Sequence, residues 1–178
     1  MSGVFQNSRT RLLSAITTSE EKIFREMFDA LFTALDNGDK NGIKDLLSVV
    51  TINEITDFDS KIEEFLNEYN GSIEIEKIKY SAGYSGGKTE YGKRQTRLHN
   101  LDTIIIAGGI RYNIYVVLYS EDDFNEDNKG IHILEFSTDE AYDSEYYASH
   151  ISYNAGLGFY YQYSPKIRDD IKFIDGRH

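Results

Sequence analysis

The period of the hydrophobic pattern changes once along this chain, at Asn70-Gly71. Before it, apolar residues recur every three to four positions, as on one face of a helix. From Ser72 they alternate, as on a strand with one buried face. The order predicts the α+β class, with N-terminal helices packed on a curved antiparallel β-sheet.

Thr18 and Glu21 have the spacing of a capping box. Ile23, Phe24, Met27, Phe28, Leu31 and Leu35 then hold helical spacing until Asn37-Gly38. A short helix over 40–48 presents Ile43, Leu46 and Leu47. A third over 57–69 presents Phe58, Ile62, Phe65, Leu66 and Tyr69, with Asn70-Gly71 as its stop.

Ile73 and Ile75 alternate in one phase, Ile78 and Tyr80 in the other, so a bulge or bend is expected near Glu76-Lys77. A loop over 81–88 leads to a polar strand over 89–101, whose Lys93, Arg94 and Arg97 suggest an edge or a solvated face. A short apolar run over 103–106 ends at the turn signal Gly108-Gly109. Residues 110–119 are apolar on both faces and should be central, with 130–137 as their neighbour. Beyond Thr138 the texture changes. Seven of the 14 tyrosines lie there with the only proline, Pro165, and residues 151–163 could be extended. The expected organisation is a lead-in over 1–17, an α+β domain over 18–138, and a tyrosine-rich extension over 139–178 on or beside it.

The formal charge of −11 argues against nucleic acid and anionic lipid as partners and favours a basic protein. The absence of cysteine removes disulfides, thiolate nucleophiles and cysteine-ligated zinc. No apolar run approaches the ~18 residues that span a bilayer. The polar start, SGVFQNSRTR, is of the kind that follows a cleaved export signal. Two locations stand open: the envelope or extracellular face if Met1 replaces such a signal, the cytoplasm if it does not.

Three sets of residues are candidates for chemistry. Residues 82–89, AGYSGGKT, meet the loose spacing of a phosphate-binding loop, which must open a helix. The following EYGKRQTRLH has no helical stripe, so a glycine-rich hairpin loop is expected. Asp123, Asn125 and Asp127 have the one-three-five spacing of a calcium loop, but Asn128 stands where glycine is needed and Leu134 where a bidentate glutamate is needed. A solvated acidic turn is the better reading. His99, His132, His150 and His178 lack a metal-ligand spacing, and His132 is expected to face solvent or a partner. No nucleophile elbow occurs, so no catalytic residue, metal ligand or cofactor is expected.

Three helices followed by a bent sheet resemble the nuclear transport factor 2-like, or cystatin-like, α+β cone. FDALFTALDNGDKNGIKDLLS, FDSKIEEFLNEYNGSI, EYGKRQTR and YNIYVVLYSEDDFNEDNKGIHILEFS look like segments of a bacterial family of small lipoproteins of undefined function with that fold. The resemblance spans roughly 20–138 and implies a sheet wrapped around the long helix, with a pocket at the open end. It also implies a lipid-modified cysteine before the domain, which this chain lacks; a membrane link would be through such an anchor alone.

The leading expectation is a non-catalytic binding protein, such as an immunity protein that neutralises a basic toxin. Its contact residues would be Glu121, Asp122, Asp123, Glu126 and Asp127 in the acidic turn, and Tyr142, Tyr146 and Tyr147 in the extension. The alternative is a small apolar-ligand domain with a pocket lined by Phe24, Phe28, Leu31, Tyr112, Ile114, Val116 and Leu118. Third is an isomerase- or hydrolase-like enzyme, which would need a pocket carboxyl with a raised pKa. The oligomeric state is left open.

Overall fold

The computed structural model describes residues 8–55, 57–69, 71–80, 83–138, 158–162 and 172–175, with side chains only within 19–138. Four helices come first: α1 (Ser8–Asp36), α2 (Lys40–Leu46), α3 (Val49–Glu54) and α4 (Phe58–Glu68). Among the described residues seven strands follow: β1 (Ile73–Lys77), β2 (Tyr84–Glu90), β3 (Lys93–Ala107), β4 (Ile110–Asp122), β5 (Gly130–Thr138), β6 (Gly158–Gln162) and β7 (Lys172–Asp175). They form one curved, unclosed sheet in the order β1-β3-β4-β5-β6-β7, with β2 beside β3. All pairings are antiparallel except β5 with β6, which is parallel.

The helices follow their apolar stripe. Phe24, Phe28 and Leu31 of α1 are fully buried, as are Ile62 and Phe65 of α4. Burying each such side chain contributes about 1.5–3 kcal/mol. α1 starts at Ser8, ten residues before the expected capping box, because no glycine or proline breaks the chain between Ser8 and Thr18. It ends as expected: Asp39 N–H reaches Ala34 O and Gly38 N–H reaches Leu35 O, with Gly38 at φ 60°. This is a Schellman stop. Asp39 then caps α2 by accepting from Gly42 N–H, and Ser48 caps α3 by accepting from Thr51 N–H. α3 has no counterpart in the sequence reading, because six residues are too few to show a period.

The sheet corrects three expectations. Residues 89–101 are not one strand: a two-residue turn at Tyr91-Gly92, with φ of 50° and 79°, folds β2 back on β3. The glycine-rich stretch is not a loop, since residues 84–90 are β2 itself. β3 is not an edge; it pairs with β1 and β2 on one side and β4 on the other, and the run over 103–106 is its continuation. The expected bulge near Glu76-Lys77 is present as a register shift between Ile75 and Lys77. Further shifts lie at Thr96/Arg97, Asn100/Thr103 and Val117/Leu118. Each extra residue bends its strand and raises the local twist.

The core lies between the helices and one sheet face. Tyr112, Ile114, Val116 and Leu118 of β4 point there with Leu134 and Phe136 of β5. Val117 and Ile133 are buried on the opposite face, so β4 is apolar on both sides and central, as its sequence predicts. The layers are also joined by backbone: Ser48 N–H donates to Ile131 O at 3.0 Å, beside a Leu47–Ile131 bridge. Gly130 sits under this joint at φ 115°, where a Cβ would meet Ser48 N at 2.9 Å.

Candidate functional site

The acidic turn is built around Asp122, the last residue of β4, which is fully buried. Its Oδ1 accepts from the Phe124 and Asn125 backbone N–H groups at 2.9 and 3.0 Å. Its Oδ2 accepts from Gln95 Nε2 at 2.6 Å and Asn128 Nδ2 at 2.8 Å. Burial alone would raise this carboxyl's pKa; the donors from Asn128, Gln95, Asn125 and Phe124 outweigh it and hold it at about 2. Asp122 is therefore the internal pin of the turn and presents no carboxylate to a partner, against the expectation for it.

Its neighbours divide between internal work and solvent. Asp123 Oδ2 accepts from Arg94 N–H at 2.9 Å and Asn125 Oδ1 from Asp127 N–H at 3.2 Å, so two of the three oxygens with calcium-loop spacing brace the turn. Glu121 accepts from the Thr96 hydroxyl and lies 3.6 Å from the Arg94 guanidinium. Glu126 holds Lys129 at 2.9 Å, and that contact raises the Lys129 pKa. Lys88 and Lys93 lie over the Phe124 ring at 4.0 and 5.8 Å. Between 83 and 129 there are seven carboxylates and six cations. The cations beside the turn, Lys88, Lys93, Arg94 and Lys129, oppose the negative field expected of it.

The charge surplus lies on the helices. Between 19 and 69 the chain carries thirteen carboxylates and five cations. Glu21, Glu26, Asp29, Asp45, Glu54, Asp59 and their like are exposed along the outer faces. Three of the cations sit against exposed carboxylates, in the pairs Lys22–Glu26, Lys40–Glu63 and Lys44–Asp59, at 3.6–4.0 Å; Lys40 and Lys44 are half-buried. Sequence reading passed over this surplus because the acids are spread over four helices and form no run.

The seven residues expected to line an apolar pocket come together, but as packed core. Phe24, Phe28, Leu31, Tyr112, Ile114, Val116 and Leu118 are at most 5% exposed. Phe24 stacks on Phe28 at 6.2 Å, and Tyr112 meets Tyr69 and Phe136 at 5.8 and 6.4 Å. Burial in this cluster, with Asp36 and Tyr112 nearby, pushes the Tyr69 hydroxyl pKa up. Two clefts of about 350 and 260 Å³ open elsewhere, where the middle of α1, at Ser19–Ile23, meets β2 and β3. Glu20, Arg94 and Thr96 line both, with Lys88 in the first and Glu121 in the second.

Lys88 and Thr89 of the phosphate-loop spacing stand on a strand that leads into a turn, with no helix after them. His132 is 7% exposed and not solvent-facing: it occupies the bulge between Ile131 and Ile133, stacks on Tyr119 at 4.3 Å, and its Nε2 lies 2.7 Å from Asn128 O. Burial lowers its pKa, and burial with Arg97 nearby lowers that of His99, whose Nδ1 lies 3.0 Å from Tyr115 Oη. Tyr142, Tyr146, Tyr147, His150 and His178 lie outside the described residues. Among the described residues, no cluster of three or more His, Cys, Asp or Glu side chains could hold a metal ion.

Residues 30–140 match the family model described as "Domain of unknown function (DUF5104)". That is more than half of the chain, which belongs to this family. No curated protein and no solved structure matches it.

Proposed function

We propose that the chain is a non-catalytic bacterial binding protein of nuclear transport factor 2-like cone architecture that captures a basic protein, as an immunity protein captures a toxin. The long helix, short helices and bent sheet support the cone. The observation that carries the function is the separation of interior from surface charge. The interior holds the chain's own aromatic side chains, while thirteen carboxylates against five cations lie on the helical layer. Recognition is then a surface matter, with a field that draws cations to the helices. The apolar-ligand reading draws no support from its seven residues, which fill the core. The enzyme reading draws none from Asp122, whose pKa is pushed down where a general acid needs it raised.

The test uses the basic product of an adjacent gene. It should bind the purified chain in a calorimeter, bind more weakly as salt rises, and lose toxicity on co-expression. The double variant Asp45→Lys, Glu63→Lys, at two exposed helical positions, should weaken binding about tenfold or more. Binding indifferent to salt and to this reversal, or co-expression without protection, overturns the reading.

A further inference from the structure

Strand β2 lies off the main path of the sheet. It pairs with β3 on one side, and no other described strand pairs with it. Every described side chain on it is exposed, and Tyr91 at the hairpin tip is 97% exposed. Natural edges are usually closed to other chains by charge, bulges or cover. Here the charges are Lys88 and Glu90, two residues apart and therefore on the same face. A strand that carries one of each sign in that arrangement is complementary to an antiparallel copy of itself.

We propose that β2 is the contact by which two copies of this chain join, antiparallel about a two-fold axis through Thr89. The Tyr91-Gly92 turn leaves Glu90 and Lys93 as the pair beside it, exchanging backbone bonds. Alternation then turns the backbone groups of Ser85, Gly87 and Thr89 outward. Thr89 of each copy meets Thr89 of the other as a hydrogen-bonded pair. Lys88 then stands opposite Glu90 of the second copy, twice, in the non-hydrogen-bonded positions where side chains come closest. Lys88 exchanges its place over Phe124 for this carboxylate.

Charge selects this register. Sliding the copies by one step either way sets Lys88 against Lys88 or Glu90 against Glu90, and like charges directly opposite are destabilising. The chosen register also brings Tyr91 opposite Gly87, where an aromatic ring covers a glycine that has no side chain of its own. Gly87 is fixed by its inner neighbour, since a Cβ there would stand 2.2 Å from Gln95 O. The surroundings permit the approach: the four cations and one carboxylate of the hairpin over 84–99 are offset by the five carboxylates of the adjacent turn over 121–127, whereas the helical layer of a chain at −11 repels its copy. This contact uses the sheet edge and leaves the helical layer to the proposed partner.

Sedimentation of the wild-type protein over a concentration series should show a monomer–dimer equilibrium. Glu90→Lys and Lys88→Glu should each weaken the dimer about tenfold or more, and the double swap Lys88→Glu, Glu90→Lys should return it to within about threefold of wild type. The chain has no cysteine, so Thr89→Cys supplies a clean probe: mild oxidation should link two copies across the axis, and Ser85→Cys, whose opposite number lies beyond β2, should not link. Circular dichroism confirms that the variants are folded. A monomer at every concentration, a double swap as weak as the singles, or equal linking of the two cysteine variants overturns the proposal.

Discussion

The helical layer and the β4–β5 turn are both rich in carboxylates, and the molecule uses them in opposite ways. On the helices the acids stand outside an apolar stripe, and folding is driven by what lies beneath them. In the turn, Asp122 and Asp123 accept hydrogen bonds that close the backbone, and Lys129 and Arg94 sit against their neighbours. Exposed helix acids such as Glu21, Asp29 and Glu54 stand toward solvent, where another molecule can meet them, whereas acids in the tight turn are largely engaged by their own chain. In this chain the densest acidic run is the one most engaged by its own amides and cations.

Substitutions at four sites can break or sharpen this contrast. The largest expected effect is in the apolar half: Phe28→Ala, at a fully buried site, should cost about 4 kcal/mol in a denaturant melt. Asp122→Ala leaves four donors without their acceptor and should cost about 3 kcal/mol; a change under about 1 kcal/mol would place the turn with the helices as mere solvated charge. The same pin has a pH signature. A folded pKa of about 2, below the ordinary carboxylate value of about 3.9, means its stabilisation is complete above about pH 4 and is lost as pH falls toward 2. That share of the acid transition should vanish in Asp122→Asn. Gly87→Ala should cost about 2 kcal/mol, since the added methyl must displace the Gln95 carbonyl. Smallest is Glu126→Gln: its ion pair with Lys129 is exposed, so the melt should move by less than about 0.5 kcal/mol.

The periodic parts of this fold were legible. Phe24, Phe28, Leu31, Ile62 and Phe65 recur at helical spacing and are core; β4 reads apolar on both faces and is central. The bulge near Glu76 was visible because alternation changes phase across it. The Tyr91-Gly92 turn was missed because tyrosine rarely takes a positive φ, and the polar residues on either side carry no period for the pair to interrupt. The unity of β3 was missed because its register shift between Asn100 and Thr103 resets the pattern in mid-strand. Of the site, the identity of the acids was legible and their use was not. Asp122 is distinguished from Asp123 by Gln95, 27 residues earlier, and no local pattern marks that pairing.

One backbone bond has a further consequence, in time as well as in space. Ser48 N–H donates across the layers to Ile131 O, 83 residues along the chain. Such a contact closes a long loop and can form only after the sheet has placed β5, which sets it late in folding. The amides around it in α2 and α3 can exchange with solvent when a short helix frays, but Ser48 is released only when helices and sheet part. Deuterium uptake at this one amide therefore times the docking of the two halves, and should follow the global opening of the domain and not the fraying of its neighbours.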